Sequence, residues 1–246
     1  MSAIVAAEAC CGSNGTDEVF HCLEESSFYA QCLHSLIFVR EARPRTVVEF
    51  GSGDGGPVIE ALRHSGFTGA IQGFELNPAA YDIANRNIQG NALDGLYRVR
   101  NECFFAAKAP RADCLIANPP YLPAPDRDIR LPLLYGGEDG SMLTNILLSL
   151  NYDTVLLMIS SYSNPIGTLR RAAAEGYAVS SFLIAPLSFG VYSSEPKVRR
   201  RIETLRKTGR AFYDGSMYLL AGVRFEKRQR EVPELSLGLI KILTAL

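Results

Sequence analysis

A chain of 246 residues with 47% apolar and 21% charged side chains carries enough hydrophobic material for a sizeable core, which excludes a disordered or fibrous protein. Its 25 basic and 26 acidic residues leave a formal net charge of -1, so no global field draws it onto nucleic acid or an anionic membrane, and any such attraction has to be local. No apolar stretch is long enough to span a bilayer and no basic segment precedes an apolar one at the start, so a cytoplasmic protein without a membrane partner is expected.

In chain order, Thr46 to Phe50 reads as a first strand, followed by the glycine cluster Gly51 to Gly56. Pro57 opens a helix whose apolar Val58, Ile59 and Leu62 recur at helical spacing before Gly66. Gly69 to Glu75 is a second strand, and Asn77-Pro78 caps a helix with Ala80, Ile83, Ala84 and Ile88 on one face and Gly90 as its stop. Leu96 to Arg100 and Asp113 to Ala117 are the third and fourth strands. The fourth ends in Asn118-Pro119-Pro120-Tyr121, where two prolines force the chain out of the sheet as a rigid loop. A helix over Ser141 to Leu150, a strand over Thr154 to Ser160, a helix around Thr168 to Glu175, and strands over Tyr177 to Ile184 and Met217 to Phe225 complete the pattern. Alternating strands and helices predict an α/β Rossmann-like fold, a mostly parallel seven-stranded sheet with helices on both faces. The expected organisation is an N-terminal extension with a helix over 1–45, one domain over 46–230 and an apolar C-terminal helix over 231–246.

Gly51, Gly53 and Gly56 satisfy G-x-G-x-x-G between a strand and a helix, where a nucleotide-like ligand can approach bare backbone. Glu75, 19 positions after Gly56, is placed to accept hydrogen bonds from a ribose diol, in a dinucleotide site or an S-adenosylmethionine site. Glu49, just before the glycines, would repel a pyrophosphate but suits the cationic methionine end of S-adenosylmethionine, which favours the sulfonium cofactor. Asn118-Pro119-Pro120-Tyr121 belongs to the same sheet edge as the glycine loop.

Between Val19 and Gly140 the chain resembles the N-P-P-Y class of S-adenosylmethionine-dependent methyltransferases, and more particularly the HemK-type glutamine methyltransferases. The resemblance is carried by Glu49-x-Gly51-x-Gly53-x-Gly55, Glu75-x-Asn77-Pro78, Asn118-Pro119-Pro120-Tyr121 and Tyr135-Gly136-Gly137-Glu138-Asp139-Gly140. It implies a class I methyltransferase fold with an antiparallel last strand and S-adenosylmethionine held by Glu49, Gly51, Gly53, Gly55, Glu75, Asn77 and Asn118. Asn101-Glu102-Cys103-Phe104 is similar to the family's S-D-x-F, which places Glu102 at the adenine amine with Phe104 beside it. The resemblance implies catalysis by the Asn118 side-chain oxygen and the Pro119 carbonyl, which hold the two N–H bonds of a planar nitrogen, with Tyr121 against the acceptor's flat face. Val19 to Ser26 is similar to V-Y-x-P-x-E-D-T, with Cys22 where the family has proline, and sets Glu25 and Ser26 at the cofactor's border. Only 45 residues precede Thr46, so the helical substrate domain of full-length release-factor enzymes is not expected. A protein glutamine amide leads as acceptor; a nucleic-acid base amine, a small molecule, and a non-catalytic cofactor-binding subunit stay open.

Lys197 to Arg210 holds seven cations against one acid, Glu203, and reads equally as a phosphate-binding stripe or a solvated helix, with no aromatic residue interleaved. Leu235, Leu239, Ile242, Leu243 and Leu246 form an apolar stripe that folds onto the sheet or serves dimerisation. The six cysteines read as reduced thiols, with adjacent Cys10 and Cys11 an unstructured pair, and His21, His34 and His64 share no ligand spacing, so no metal site is expected.

Overall fold

The computed structural model describes residues 18–39, 46–107, 111–228 and 233–246, and the Cys10–Cys11 pair lies outside them. The chain divides after Asn118 into two compact units.

Among the described residues of the first unit, α1 (Leu23–Leu33) comes first and runs directly into a π-helical turn over His34–Phe38. β1 (Thr46–Phe50), α2 (Gly56–Leu62), β2 (Ala70–Phe74), α3 (Pro78–Gly90), β3 (Tyr97–Arg100) and β4 (Cys114–Ala117) follow. The strands run parallel in the order β3-β2-β1-β4. Every side chain of β4 is fully buried, as are Val47 and Val48 of β1, because helices cover both faces of a parallel sheet and leave no polar side. Gly55 starts α2 at φ +73°, a left-handed conformation that glycine adopts without strain, while the Asn77 side chain accepts from Ala79 N and so caps α3. α1 packs on α2 with Phe28, Tyr29, Cys32 and Leu33 inward, a stripe at i, i+1, i+4 and i+5 spacing.

The second unit holds α4 (Met142–Leu148), β5 (Thr154–Ser160), α5 (Pro165–Ala174), β6 (Tyr177–Ser188), α6 (Pro196–Lys207), β7 (Met217–Lys227) and α7 (Ser236–Leu243). β7 pairs antiparallel with both β5 and β6, the reversal of the last strand that the resemblance implied, and it brings the strands among the described residues to seven. β6 continues to Ser188 rather than stopping at Ile184, because the long β7 offers it a partner over that whole length. α5 opens at Pro165 rather than at Thr168, since Asn164 caps it through Gly167 N. The basic segment is helical as α6, its buried stripe being Val198, Ile202 and Leu205. α7 lies against α5 and β6 of its own unit, with Leu239 and Leu243 fully buried; Leu235, Leu237 and Ile242 stay exposed. Among the described residues no helix is long and apolar enough to cross a membrane.

Candidate active site

One register row of the first unit's sheet sets the site. Phe74 of β2, Phe50 of β1 and Ala117 of β4 lie side by side, and the next residue along each strand is Glu75, Gly51 and Asn118 respectively. Three candidate residues thus meet at the carboxyl ends of adjacent parallel strands, where α/β sheets present ligands.

The glycine turn is pinned from beneath by backbone, since Gly51 N and Ser52 N both donate to Phe74 O, at 3.0 and 3.1 Å. Gly51, Gly53 and Gly55 all have positive φ. They differ in what surrounds them. A Cβ on Gly51 or Gly53 would meet no atom within 4 Å, whereas one on Gly55 would touch Tyr97, Ala84 and Ile59. The first two therefore border open space, and the third serves packing. Glu75 accepts from Gly53 N at 2.7 Å through one carboxylate oxygen and from Asn77 N at 2.8 Å through the other. With a further backbone bond from Leu76, three of the carboxylate's roughly four acceptor sites are engaged and about one remains for a further donor. Burial pushes the Glu75 carboxyl above its ordinary range, and the bonds from Asn77 and Gly53 oppose that shift. Asn77 is occupied on both ends of its carboxamide, with Oδ1 capping α3 and Nδ2 donating to Glu18 O at 3.0 Å. It frames the loop with its side chain.

Glu49 is 1% exposed and accepts from the Tyr97 hydroxyl at 2.5 Å. Burial pushes its carboxyl up to about 7 from 4.5, against the lowering effect of the Tyr97 bond. The folded state thus holds this proton more tightly than the unfolded chain does. The associated stability is complete below pH 4.5 and is lost as pH rises through about 7. Urea unfolding of the protein is expected to show a lower midpoint at pH 8 than at pH 5, and Glu49→Gln, which keeps an acceptor for Tyr97, should shrink that difference. Glu75 titrates in the same direction, so some of the difference persists in the variant. An undiminished difference would assign the effect elsewhere.

Glu102 is ion-paired with Arg100 at 2.8 Å, and Phe104 is 3% exposed, its ring packed against Phe50, Phe74 and Phe105. Phe104 is thus a core residue. The half-buried ring of this pair is Phe105, 5.6 Å from Phe50, which spacing alone did not distinguish from its neighbour.

Asn118 ends the first unit. Its Nδ2 donates to Glu25 Oε1 at 2.8 Å, and its Oδ1 is buried with no hydrogen-bond partner. A buried acceptor without a donor costs free energy on the order of 1–3 kcal/mol, which a ligand N–H would recover. Glu25 is 6% exposed in the first turn of α1.

Pro119, Pro120 and Tyr121 open the second unit, where the glycine-rich turn holds their backbone. Gly136 N donates to Leu122 O at 2.9 Å, Leu122 N to Leu134 O at 3.1 Å, and Ser163 Oγ to Tyr121 O at 2.7 Å. A Cβ on Gly136 would lie 2.6 Å from Tyr121 Cα, and one on Gly140 2.5 Å from Tyr121 O, so only glycine permits this approach. Asp139 closes the turn, accepting from Ser141 and from Asn164 Nδ2. Tyr121 itself is 7% exposed, its ring 5.8 Å from that of Tyr162.

α6 resolves into inward and outward cations. Lys197 pairs with Asp126 and donates to Asp128 O, an arrangement that raises the lysine's pKa and lowers the aspartate's. Arg199 lies over Phe189 and Tyr213 at 4.2 and 4.6 Å, Arg201 holds both the carbonyl and the carboxylate of Glu138, and Arg206 lies over Tyr213 at 4.4 Å. The aromatic residues absent from the run in sequence are supplied by neighbouring segments. Four of the seven cations brace their own unit; Arg200 and Lys207 are exposed and Arg210 half-buried. No group of three or more His, Cys, Asp or Glu that could hold a metal occurs among the described residues, and Cys22, Cys32, Cys103 and Cys114 form no disulfide.

This chain has the class I methyltransferase fold, the seven-stranded, mostly parallel α/β architecture. It is similar to an RNA-methyltransferase-type structure from Pyrococcus horikoshii, with a TM-score of 0.58 and 14% identity over 92% of this chain and 98% of the other. It is likewise similar to a chain of the E. cuniculi Mtq2–Trm112 complex, which is responsible for methylation of the translation termination factor eRF1, at a TM-score of 0.52 and 16% identity over 87% and 100%. The [4+2]-cyclase SpnF matches at 0.50 and 10% identity over 87% and 85%. No protein-family model and no curated protein matches the sequence. Since a cyclase shares the architecture, the reaction has to be argued from the site.

Proposed function

We propose that this chain is an S-adenosylmethionine-dependent N-methyltransferase acting on a planar nitrogen, with a protein glutamine amide as acceptor. The observation that carries the reading is the Asn118 carboxamide, held through Nδ2 and left with a buried, unpartnered Oδ1 at the carboxyl end of β4. When bound, the cofactor supplies an electrophilic methyl group on a sulfonium centre. The open backbone at Gly51 and Gly53 admits it, Glu75 offers its remaining lone pair to a ribose hydroxyl, and Glu49, whose carboxyl burial pushes up to about 7, gains negative charge as a cationic amino-acid end approaches. Phe105 offers a flat face to adenine, the part the resemblance gives to the Glu102 to Phe104 segment.

A carboxamide nitrogen is a poor nucleophile because its lone pair is delocalised into the carbonyl. Acceptors that hold both N–H bonds favour the pyramidal geometry in which that lone pair is free. Asn118 Oδ1 takes one N–H and the Pro119 carbonyl the other, while Tyr121 sets the plane of the acceptor. Alignment then provides most of the rate: the new N–C bond forms as the S–C bond breaks and the thioether leaves, and the methylated nitrogen, made acidic by its positive charge, gives its proton to water, so no strong base is required. A glutamine amide is favoured because the turn Gly136 to Gly140, which packs against Tyr121 here, is similar to the G-G-x-(D/N)-G turn that HemK-type glutamine methyltransferases place after N-P-P-Y, and because a structure of this fold belongs to a complex that methylates a protein. The test is transfer of tritiated methyl from S-adenosylmethionine into fractionated extract. Label in protein, recovered as methylglutamine, is the expected result, and label only in small molecules or none would sink the proposal.

Base-amine methylation of RNA is the second reading, favoured by the outward cations Arg200, Lys207 and Arg210. It requires affinity for total RNA that falls with salt, at a log-log slope of about -0.7 per phosphate on a single strand. The variant to use is the reversal of those three residues to glutamate, since reversing Arg199 or Arg201 would dismantle the contacts with Phe189, Tyr213 and Glu138. Weak binding, a flat salt dependence and no effect of the reversal are expected.

A further inference from the structure

We infer that Glu25 is a positioning residue that acts through Asn118, orienting the carboxamide so that Oδ1 and not Nδ2 faces the acceptor; this rests on the methyl-transfer reading. α1 buries residues 25, 28, 29, 30, 32 and 33, and Glu25 is the one carboxylate in that group, at its N-terminal end. A carboxylate on a buried face requires donors. Across 93 residues of sequence, Asn118 Nδ2 meets Glu25 Oε1 at 2.8 Å.

An Asn carboxamide has two ends of opposite hydrogen-bonding character and rotates about a soft terminal torsion, so by itself it can present either end. A carboxylate can only accept. It therefore selects the rotamer with Nδ2 toward α1 and the oxygen on the other side, and this is the state in which Oδ1 is buried without a partner. The flipped amide would set an oxygen against an oxygen and offer N–H groups to an acceptor nitrogen that is itself an N–H donor. Selection also polarises the amide, which strengthens Oδ1 as an acceptor. Glu25 thus differs from the cofactor-border role that the resemblance implied: its effect belongs to turnover and runs through one other side chain.

The prediction has two independent readouts. In the ligand-free protein, the side-chain amide proton signals of Asn118, assigned by their loss in Asn118→Ala, should move on Glu25→Ala and stay near their native positions in Glu25→Gln, whose carbonyl can still accept. In methyl transfer to the labelled acceptor fraction at saturating S-adenosylmethionine, Glu25→Ala should lower turnover on the order of a hundredfold, the cost of a misplaced catalytic group, with Glu25→Gln restoring most of it. The double variant Glu25→Ala, Asn118→Ala should be no slower than Asn118→Ala alone, and S-adenosylmethionine affinity by calorimetry should stay nearly unchanged throughout. Multiplying effects in the double variant, or loss of cofactor affinity with turnover preserved, would overturn the inference and return Glu25 to the cofactor. If the wild-type protein transfers no methyl group to any fraction, the proposed function fails by itself. The amide signals then still decide the pairing, and unchanged signals in Glu25→Ala would refute it.

Discussion

Asn118→Ala is expected to lower methyl transfer by roughly a hundredfold or more, the scale set when one preorganised polar group is removed from a transition state. Calorimetric affinity for S-adenosylmethionine should stay close to that of the wild type. The expectation follows from the separation of the two ends of this side chain. Nδ2 is held inside the first unit by Glu25, and Oδ1 is left over. Alanine removes the acceptor and leaves the Glu25 carboxylate without this donor, so a modest fall in the unfolding midpoint should accompany the kinetic loss. Equal losses of affinity and turnover would instead make Asn118 a frame for the cofactor. Asn118→Asp, which keeps an acceptor but opposes Glu25 with a second carboxylate, should fall between wild type and alanine.

The second large effect is expected at Gly53. Its φ of +56° is a conformation that β-branched side chains rarely adopt, and a Cβ placed there meets nothing within 4 Å. Gly53→Val should abolish cofactor binding in calorimetry, because the side chain would project into the open approach that the glycine provides. The accompanying loss of stability should be limited to about 1–3 kcal/mol of backbone strain, since no neighbour is displaced. Gly55→Val provides the contrast, because that side chain would press on Tyr97, Ala84 and Ile59 and should unfold the protein more than it weakens ligand. Retained affinity in Gly53→Val with a native melting curve would remove the glycine turn from the site.

The order of elements, the glycine turn and the polar residues ending two of the strands were legible without a structure, for one physical reason. Helical and strand periodicities, proline and glycine constraints and strand-end positions are local, and a parallel sheet brings its carboxyl ends together whatever packs around it. That placed Gly51, Glu75 and Asn118 on one edge, and β1, β2 and β4 put them beside one register row. It did not reveal which groups those side chains would meet.

Tertiary structure decided the charges and their partners. Glu49 was legible as an acidic residue before the glycines; its burial, its elevated pKa and its bond to Tyr97, 48 residues away, depend on β3 arriving beside β2. The alternation in Asn101 to Phe105 could not tell which phenylalanine would enter the core, because no regular element spans it and the neighbouring rings of Phe50 and Phe74 chose Phe104. In α6 the sequence displayed seven cations, and only folding divided them, because Asp126, Glu138, Phe189 and Tyr213 come from segments whose approach no local pattern encodes. A signal for Glu25 was present as a carboxylate on the apolar stripe of α1, which announces that a donor must exist, and Asn118 became that donor when α1 and the end of β4 met. Composition and spacing determine which side chains must be buried or held at a sheet edge, whereas the energy of a buried charge is set by the distant groups that fold against it.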